Sequence, residues 1–178
     1  MLYYFPIRMP NVIFSMKNAP SVLTSICRRD TIKQIYHRRG FNVERYPVTE
    51  KDMKLIASGL EVLGNNFNDG VYDHTVGCAV LCKNGNIYKG VNCDGIHGSC
   101  AEYITIGIAI SNGEKEFDTI VAVHEKHLNC VIPPCGNCRQ MLFEYCPDIK
   151  VILNDENGNL IKVSAKDLLP FAWQPVVC

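Results

Sequence analysis

Cys100-Ala101-Glu102 and Pro134-Cys135-Gly136-Asn137-Cys138 constrain this chain more than any other feature, because three thiols that grip one ion must be gathered from two separate segments. Any fold has to bring both motifs to one point. A structural zinc site usually takes four protein ligands, whereas a catalytic one keeps a position open, so three cysteines beside a carboxylate point to catalysis. The ligand set so implied is Cys100, Cys135 and Cys138 around one Zn²⁺ per chain, with Glu102 as the proton-transferring group. Plainer readings stand beside this one. Cys135-Gly136-Asn137-Cys138 alone has the spacing of a thioredoxin-like redox pair, and Glu102 alone is an acid opposing a helix dipole, worth only about 0.3–1 kcal/mol.

At 178 residues the chain has one domain's worth of sequence, enough to bury a core without disulfide staples. Ten cysteines would suggest a disulfide framework in a short secreted chain, but no uninterrupted apolar run stands near the start, so a reducing compartment is expected. No stretch has the apolar length of a membrane span.

A formal net charge of zero hides an asymmetry. Residues 1–46 carry eight Lys or Arg against Asp30 and Glu44, a net of +6, which leaves −6 for residues 47–178. The catalytic part is therefore acidic. It lacks the basic footprint and aromatic-basic interleaving of a polynucleotide binder, which favours a free small molecule over DNA or RNA. Residues 1–46 read as a basic extension, with 47–178 as the catalytic domain. The acid-free first 29 residues suit a mitochondrial transit peptide, but Pro6, Pro10 and Pro20 interrupt a long amphipathic helix, so a cytoplasmic protein with a loosely packed extension is the first expectation.

Regular patterning begins at Thr49, which can cap a helix with Met53, Ile56, Ala57, Leu60 and Leu63 on its apolar face, ended by Gly64-Asn65-Asn66. Val76–Lys83 and Asn86–Cys93 read as strands joined by Asn84-Gly85, a strong hairpin signal. Ser99 then caps a second helix to about Asn112, and a strand follows over about Asp118–Val123. A third helix starts at Cys135 after Pro133-Pro134, buries Met141, Leu142 and Tyr145, and stops before Pro147. Ile149–Leu153 and Leu160–Val163 are the last strands, about Asn157-Gly158. This order of elements predicts an α/β fold with a central mixed sheet and helices on its faces. All three thiols then sit at helix starts, where free N–H groups favour thiolates.

A His or Cys ligand, a Glu two residues on and a later Pro-Cys-x-x-Cys form the signature of zinc base deaminases, and Cys100, Glu102, Pro134, Cys135 and Cys138 fill every slot. More fully, Pro134-Cys135-Gly136-Asn137-Cys138-Arg139-Gln140 together with Cys100-Ala101-Glu102 resembles the cytidine deaminase superfamily in its small, three-cysteine branch. The likeness runs from about Tyr72 to Trp173. It implies a three-layer α/β/α sandwich around a five-stranded mixed sheet, one zinc per subunit, and a homotetramer with shared active sites acting on a pyrimidine nucleoside. It also implies substrate contacts at Asn92, Asp94, Ala101 and Trp173.

Within the branch two relatives compete. Leu168-Leu169-Pro170-Phe171-Ala172-Trp173 is similar to the ending of cytidine deaminases, whereas a similar ending with Trp and the length of Val76–Asn92 match blasticidin S deaminase. Asn92-Cys93-Asp94 has a shorter acid than the Asn-x-Glu of cytidine deaminases, the run from Asn92 to Cys100 is shorter, and Tyr103 stands where that group has Arg. Arg139 or helix N–H groups are the candidates to supply the donors so lost. Asn129 occupies the place of a basic residue in the blasticidin type. His97 is a weak candidate ligand, because a fourth ligand would close the site, and His124 and His127 read as surface residues. Cys27, Cys78, Cys82, Cys93, Cys130, Cys146 and Cys178 lack ligand spacing, and those in apolar runs read as small buried hydrophobes.

Overall fold

The computed structural model describes residues 43–174. The basic stretch read as an extension or targeting segment lies outside the described residues up to residue 42, as do Cys27 and Cys178. Tyr46 pairs with Lys162 through two backbone hydrogen bonds of 2.9 and 3.0 Å, so among the described residues sheet contacts begin at Tyr46.

Helix α1 spans Glu50–Asn66 and is followed by β1 (Gly77–Cys82), β2 (Ile87–Val91), α2 (Ala101–Ser111) and β3 (Phe117–Val123). Then come β4 (Val131–Ile132), α3 (Gly136–Tyr145), β5 (Lys150–Asn154) and β6 (Leu160–Ser164). The sheet runs β2-β1-β3-β5-β6, and β4 adds a short sixth strand to β3 where five were expected. Two residues ahead of Pro133 are too few to show a period. β3 and β5 are parallel and the remaining pairs antiparallel, which settles the sense of β5 and β6 as a hairpin.

Alternation along the strands sorts side chains between two cores. Cys78, Val80, Ile120 and Val151 face α2 and α3, while Ala79, Val121, Val123 and Ile152 face α1. That makes three layers, α1 on one side and α2 with α3 on the other. Gly85 takes a left-handed φ of 96° in the β1–β2 turn, as the Asn-Gly signal requires. Gly90 lets β2 approach α2 closely, since a Cβ there would meet Thr105 Oγ1 at 2.8 Å.

Three expected core positions, Met53, Ala57 and Tyr145, are exposed and so corrected. Met53 is 51% exposed, because the buried stripe of α1 runs through Asp52, Leu55, Ile56, Gly59 and Leu63 and leaves it off the axis. Tyr145 is exposed at the last turn of α3, past the part of that helix which covers the sheet.

Asp52 sits in the core because its charge is answered. Its Oδ2 accepts hydrogen bonds from the Thr49 N–H and hydroxyl, both at 2.7 Å, and pairs with Lys162 Nζ at 2.8 Å. Burial pushes its carboxyl up, but Lys162 and Thr49 outweigh that and hold it below the usual carboxylate range. A depressed folded-state pKa gives stability that is present above the unfolded value near about 4 and is lost as pH falls through the folded value. Asp52→Ala is expected to cost about 3–5 kcal/mol at neutral pH, and the gap from the parent should close in acid. Urea denaturation at neutral and acid pH measures both, and a gap independent of pH would refute the role of the carboxylate.

Candidate active site

Two helix starts build the site. Pro133 and Pro134 favour extended backbone ahead of them and donate no N–H, so α3 begins only after Cys135. The Cys135 carbonyl accepts from Arg139 N–H at 2.9 Å, and its sulfur accepts from Cys138 N–H at 3.5 Å. Cys100 plays the same part for α2, its carbonyl accepting from Ile104 N–H at 3.2 Å. The expectation that Ser99 caps α2 is thus corrected by one residue. Ser99 is used in a two-way backbone pairing with Cys93, at 2.9 and 2.8 Å, which leaves Cys100 as the capping residue.

The sulfurs of Cys100, Cys135 and Cys138 all lie within 4.8 Å of one another, with 3.6 Å between Cys100 and Cys135. Thiolates arranged tetrahedrally about 2.3 Å from one Zn²⁺ stand about 3.8 Å apart, so the cluster has the dimensions of a zinc site. Its electrostatics agree. Burial pushes the Cys138 thiol far up, with Glu102, Cys135 and Cys100 adding to the effect, and burial with Cys135 also raises Cys100. Burial pushes Cys135 up too, but the Cys138 N–H and the two neighbouring thiols outweigh it and hold that thiol low. Negative charges opposing one another in this way are relieved by a cation, and sulfur donors suit zinc. The residues present therefore fit the ion.

Glu102 stands outside the sulfur group, in the first turn of α2 and only 5% exposed. Burial holds its carboxyl above the ordinary value, while its own N–H and the Cys138 thiol pull the other way. A carboxylate placed beside the thiols without joining them can move protons. His97 is exposed and does not join the sulfur group.

The other candidate positions differ in burial and in bonding. Ala101 is fully buried, so its helix-start N–H is what it has to offer. Asn92 is half-buried, its Oδ1 accepting from Val76 N–H at 2.9 Å and its Nδ2 donating to Asp73 O at 2.8 Å. Asp94 is exposed in the loop between Cys93 and Ser99. Trp173 is 64% exposed and its backbone is held by Gln140, which accepts from its N–H at 3.2 Å and donates to its carbonyl at 2.9 Å. The Trp173 side chain is therefore not part of the core of the described residues. In the sequence Gln140 only completes the motif after Cys138-Arg139; the bonds to the Trp173 backbone are what the structure adds.

Arg139 does not replace the missing donor to the thiols. Its Nε donates to Pro134 O at 2.8 Å and its Nη1 to Leu168 O at 3.2 Å, which ties the start of α3 to the C-terminal segment. The helix N–H of Cys138 is the donor found instead. Tyr103 donates to Asn137 Oδ1 at 3.3 Å, and Asn129 is spent on Asn154 Oδ1 and Gly158 O. Two surface clefts, one lined in part by Lys51, Lys54 and Ile87 and another by Lys115 and Asp148, contain none of the candidate residues.

Residues 61–154 match the profile of the cytidine and deoxycytidylate deaminase zinc-binding region. The chain belongs to this deaminase family. It is similar to the blasticidin-S deaminase of Bacillus cereus, 34% identical over 140 residues that cover 74% of this chain and 98% of that protein. The cytidine deaminase of Halalkalibacterium halodurans is 35% identical over 102 residues, covering 55% of this chain and 76% of that one. Among solved structures, the cytidine deaminase from Burkholderia pseudomallei superposes with a TM-score of 0.58 at 30% identity, over 71% of this chain and 100% of that chain. A cytidine deaminase from Mycobacterium tuberculosis, 23% identical with a TM-score of 0.58 over 72% of this chain and 100% of that one, shares the deaminase fold. The protein is accordingly a hydrolytic deaminase of the zinc-binding class, and no helix among the described residues is long and apolar enough to cross a membrane.

Proposed function

We propose that the protein removes the 4-amino group of a free pyrimidine nucleoside, cytidine or deoxycytidine, giving the 4-oxo product and ammonia. The observation that carries this is the meeting of three thiols at two helix starts beside one buried carboxylate. Cys100, Cys135 and Cys138 would hold one Zn²⁺ per chain, which would supply acidification of the attacking water. Glu102 takes a proton from the attacking water and delivers it to the ring nitrogen, where it stays in the product, and then carries the remaining hydroxyl proton to the departing amine, which leaves as ammonia. Ala101 faces the base through its N–H, and Asn92 and Asp94 serve the sugar hydroxyls. Asn92 keeps one amide hydrogen and one lone pair beyond its two backbone bonds for that purpose.

Blasticidin S, an aminopyrimidine nucleoside antibiotic, is the second reading, supported by a likeness that spans 98% of the Bacillus cereus enzyme. Incubating the zinc-loaded protein with cytidine, deoxycytidine and blasticidin S, and following loss of the aminopyrimidine absorbance, tests both. Turnover of none of them would refute the deaminase substrate class. Where cytidine is turned over, Asp94→Ala is expected to raise its KM about tenfold with kcat nearly kept, as loss of uniform binding does. An unchanged KM would remove Asp94 from the site.

A homotetramer completes this reading. Phe171 is fully exposed and Trp173 largely so, and α2 is apolar on both faces, with Ile108 and Ile110 turned outward. A helix apolar all round is normally covered, and α2 carries Cys100 at its start, so a second copy packed on it lies beside the site. Light scattering should give four times 20.0 kDa, and a fully active monomer would exclude a shared site.

A further inference from the structure

Beyond β1 and β2 the hairpin continues irregularly toward the thiols. Asn92 N–H donates to Val76 O at 3.0 Å, but the return bond from Val76 N–H goes to the Asn92 side chain, not its backbone. The Asn92 carbonyl is free for another donor, and His74 Nδ1 occupies it at 2.6 Å. A carbonyl only accepts, so Nδ1 carries the hydrogen. This fixes the ring, and in the neutral imidazole it leaves Nε2 as an acceptor that has no partner among the described residues.

Its place in the fold relates that atom to the thiols. Cys93 pairs with Ser99, so the next antiparallel position sets Asn92 across from Cys100, and His74 is bonded to Asn92 from the other side. Neighbouring strands lie about 4.8 Å apart. His74 therefore stands one strand beyond Asn92, on the side away from the thiols, where the part of a substrate remote from its reacting carbon would lie. Next to it, Asp73 Oδ1 is buried without a hydrogen-bond partner, held in place through its own carbonyl by Asn92 Nδ2. Two adjacent residues thus present acceptors and no donor, and the buried one left open, Asp73 Oδ1, calls for a donating ligand beside His74.

We propose that His74 is a specificity-determining residue of the deaminase, its Nε2 accepting a hydrogen bond from a sugar hydroxyl of the substrate while its Nδ1–H locks the ring onto Asn92. The inference rests on the nucleoside reading above and adds to it a recognition group on a different loop from Asn92 and Asp94.

Two substitutions separate ligand binding from scaffolding. In His74→Asn the side-chain amide can keep the bond to the Asn92 carbonyl but has no atom at the position of Nε2, whereas His74→Gln reaches that position with an amide. Both zinc-loaded variants and the parent would be assayed with cytidine and with 1-methylcytosine, which offers the same base without hydroxyls. His74→Asn is expected to lose about fivefold to tenfold in kcat/KM for cytidine, through KM, and little for 1-methylcytosine. His74→Gln should recover part of the loss. Equal losses on both compounds, or a fully active His74→Asn beside a damaged His74→Gln, would make His74 a structural clasp only and overturn the proposal. A parent that turns over no aminopyrimidine would overturn the underlying substrate reading instead.

Discussion

Glu102→Gln is expected to keep its zinc and lose turnover by about 10²–10⁴-fold, the range typical of a general acid–base group. Gln preserves the volume of a side chain that is only 5% exposed in the first turn of α2, so the core around Ala101 and Thr105 should be undisturbed. What disappears is a carboxylate that burial already holds above its ordinary pKa and that stands apart from the three sulfurs. Metal content and rate must be measured on the same preparation. Loss of zinc with unchanged activity per bound ion would give Glu102 a ligand's role and end the proton-transfer assignment.

Cys135→Ala should fail at the metal itself. The sulfur removed lies 3.6 Å from that of Cys100 and also accepts the Cys138 N–H, so the variant loses a donor and slackens the first turn of α3. Zinc held by several protein ligands binds with an apparent ~10–16 kcal/mol in all, and one ligand's share corresponds to a weakening of roughly 10²–10³-fold or more. Metal analysis after dialysis against a mild chelator would show it. A variant that kept full occupancy would remove Cys135 from the ligand set.

Much of the fold was legible because its signals are local. The Asn84-Gly85 turn, the Pro133-Pro134 helix start and the apolar runs of β1 and β3 each act within a few positions, and each expected element lies within two residues of its expected place. The thiol cluster was legible for a different reason, since a shared ligand ties distant segments together. What escaped depends on contacts between such segments. The burial of Asp52 has no local signal, because Lys162, which neutralises it, comes from β6. His74 belongs to no motif and Gln140 only ends one; each acquires its role from a backbone group far along the chain, the Asn92 carbonyl and the Trp173 peptide. Arg139 was legible as a donor but not its acceptors, which lie in Pro134 and Leu168.

The pairing of Cys93 with Ser99 closes the base of the loop formed by residues 94–98, all five of which are exposed. Because the pairing fixes where Ser99 stands, Cys100 is insulated from whatever the five residues above it do. If Asp94 serves the sugar as proposed, chemistry and part of the selectivity are carried by separable parts, one anchored at helix ends against the sheet and the other hung from a closed neck. A lineage of such enzymes could lengthen, shorten or rewrite that loop and try new substrates while the reacting centre stayed in register, so that substrate preference can drift faster than mechanism.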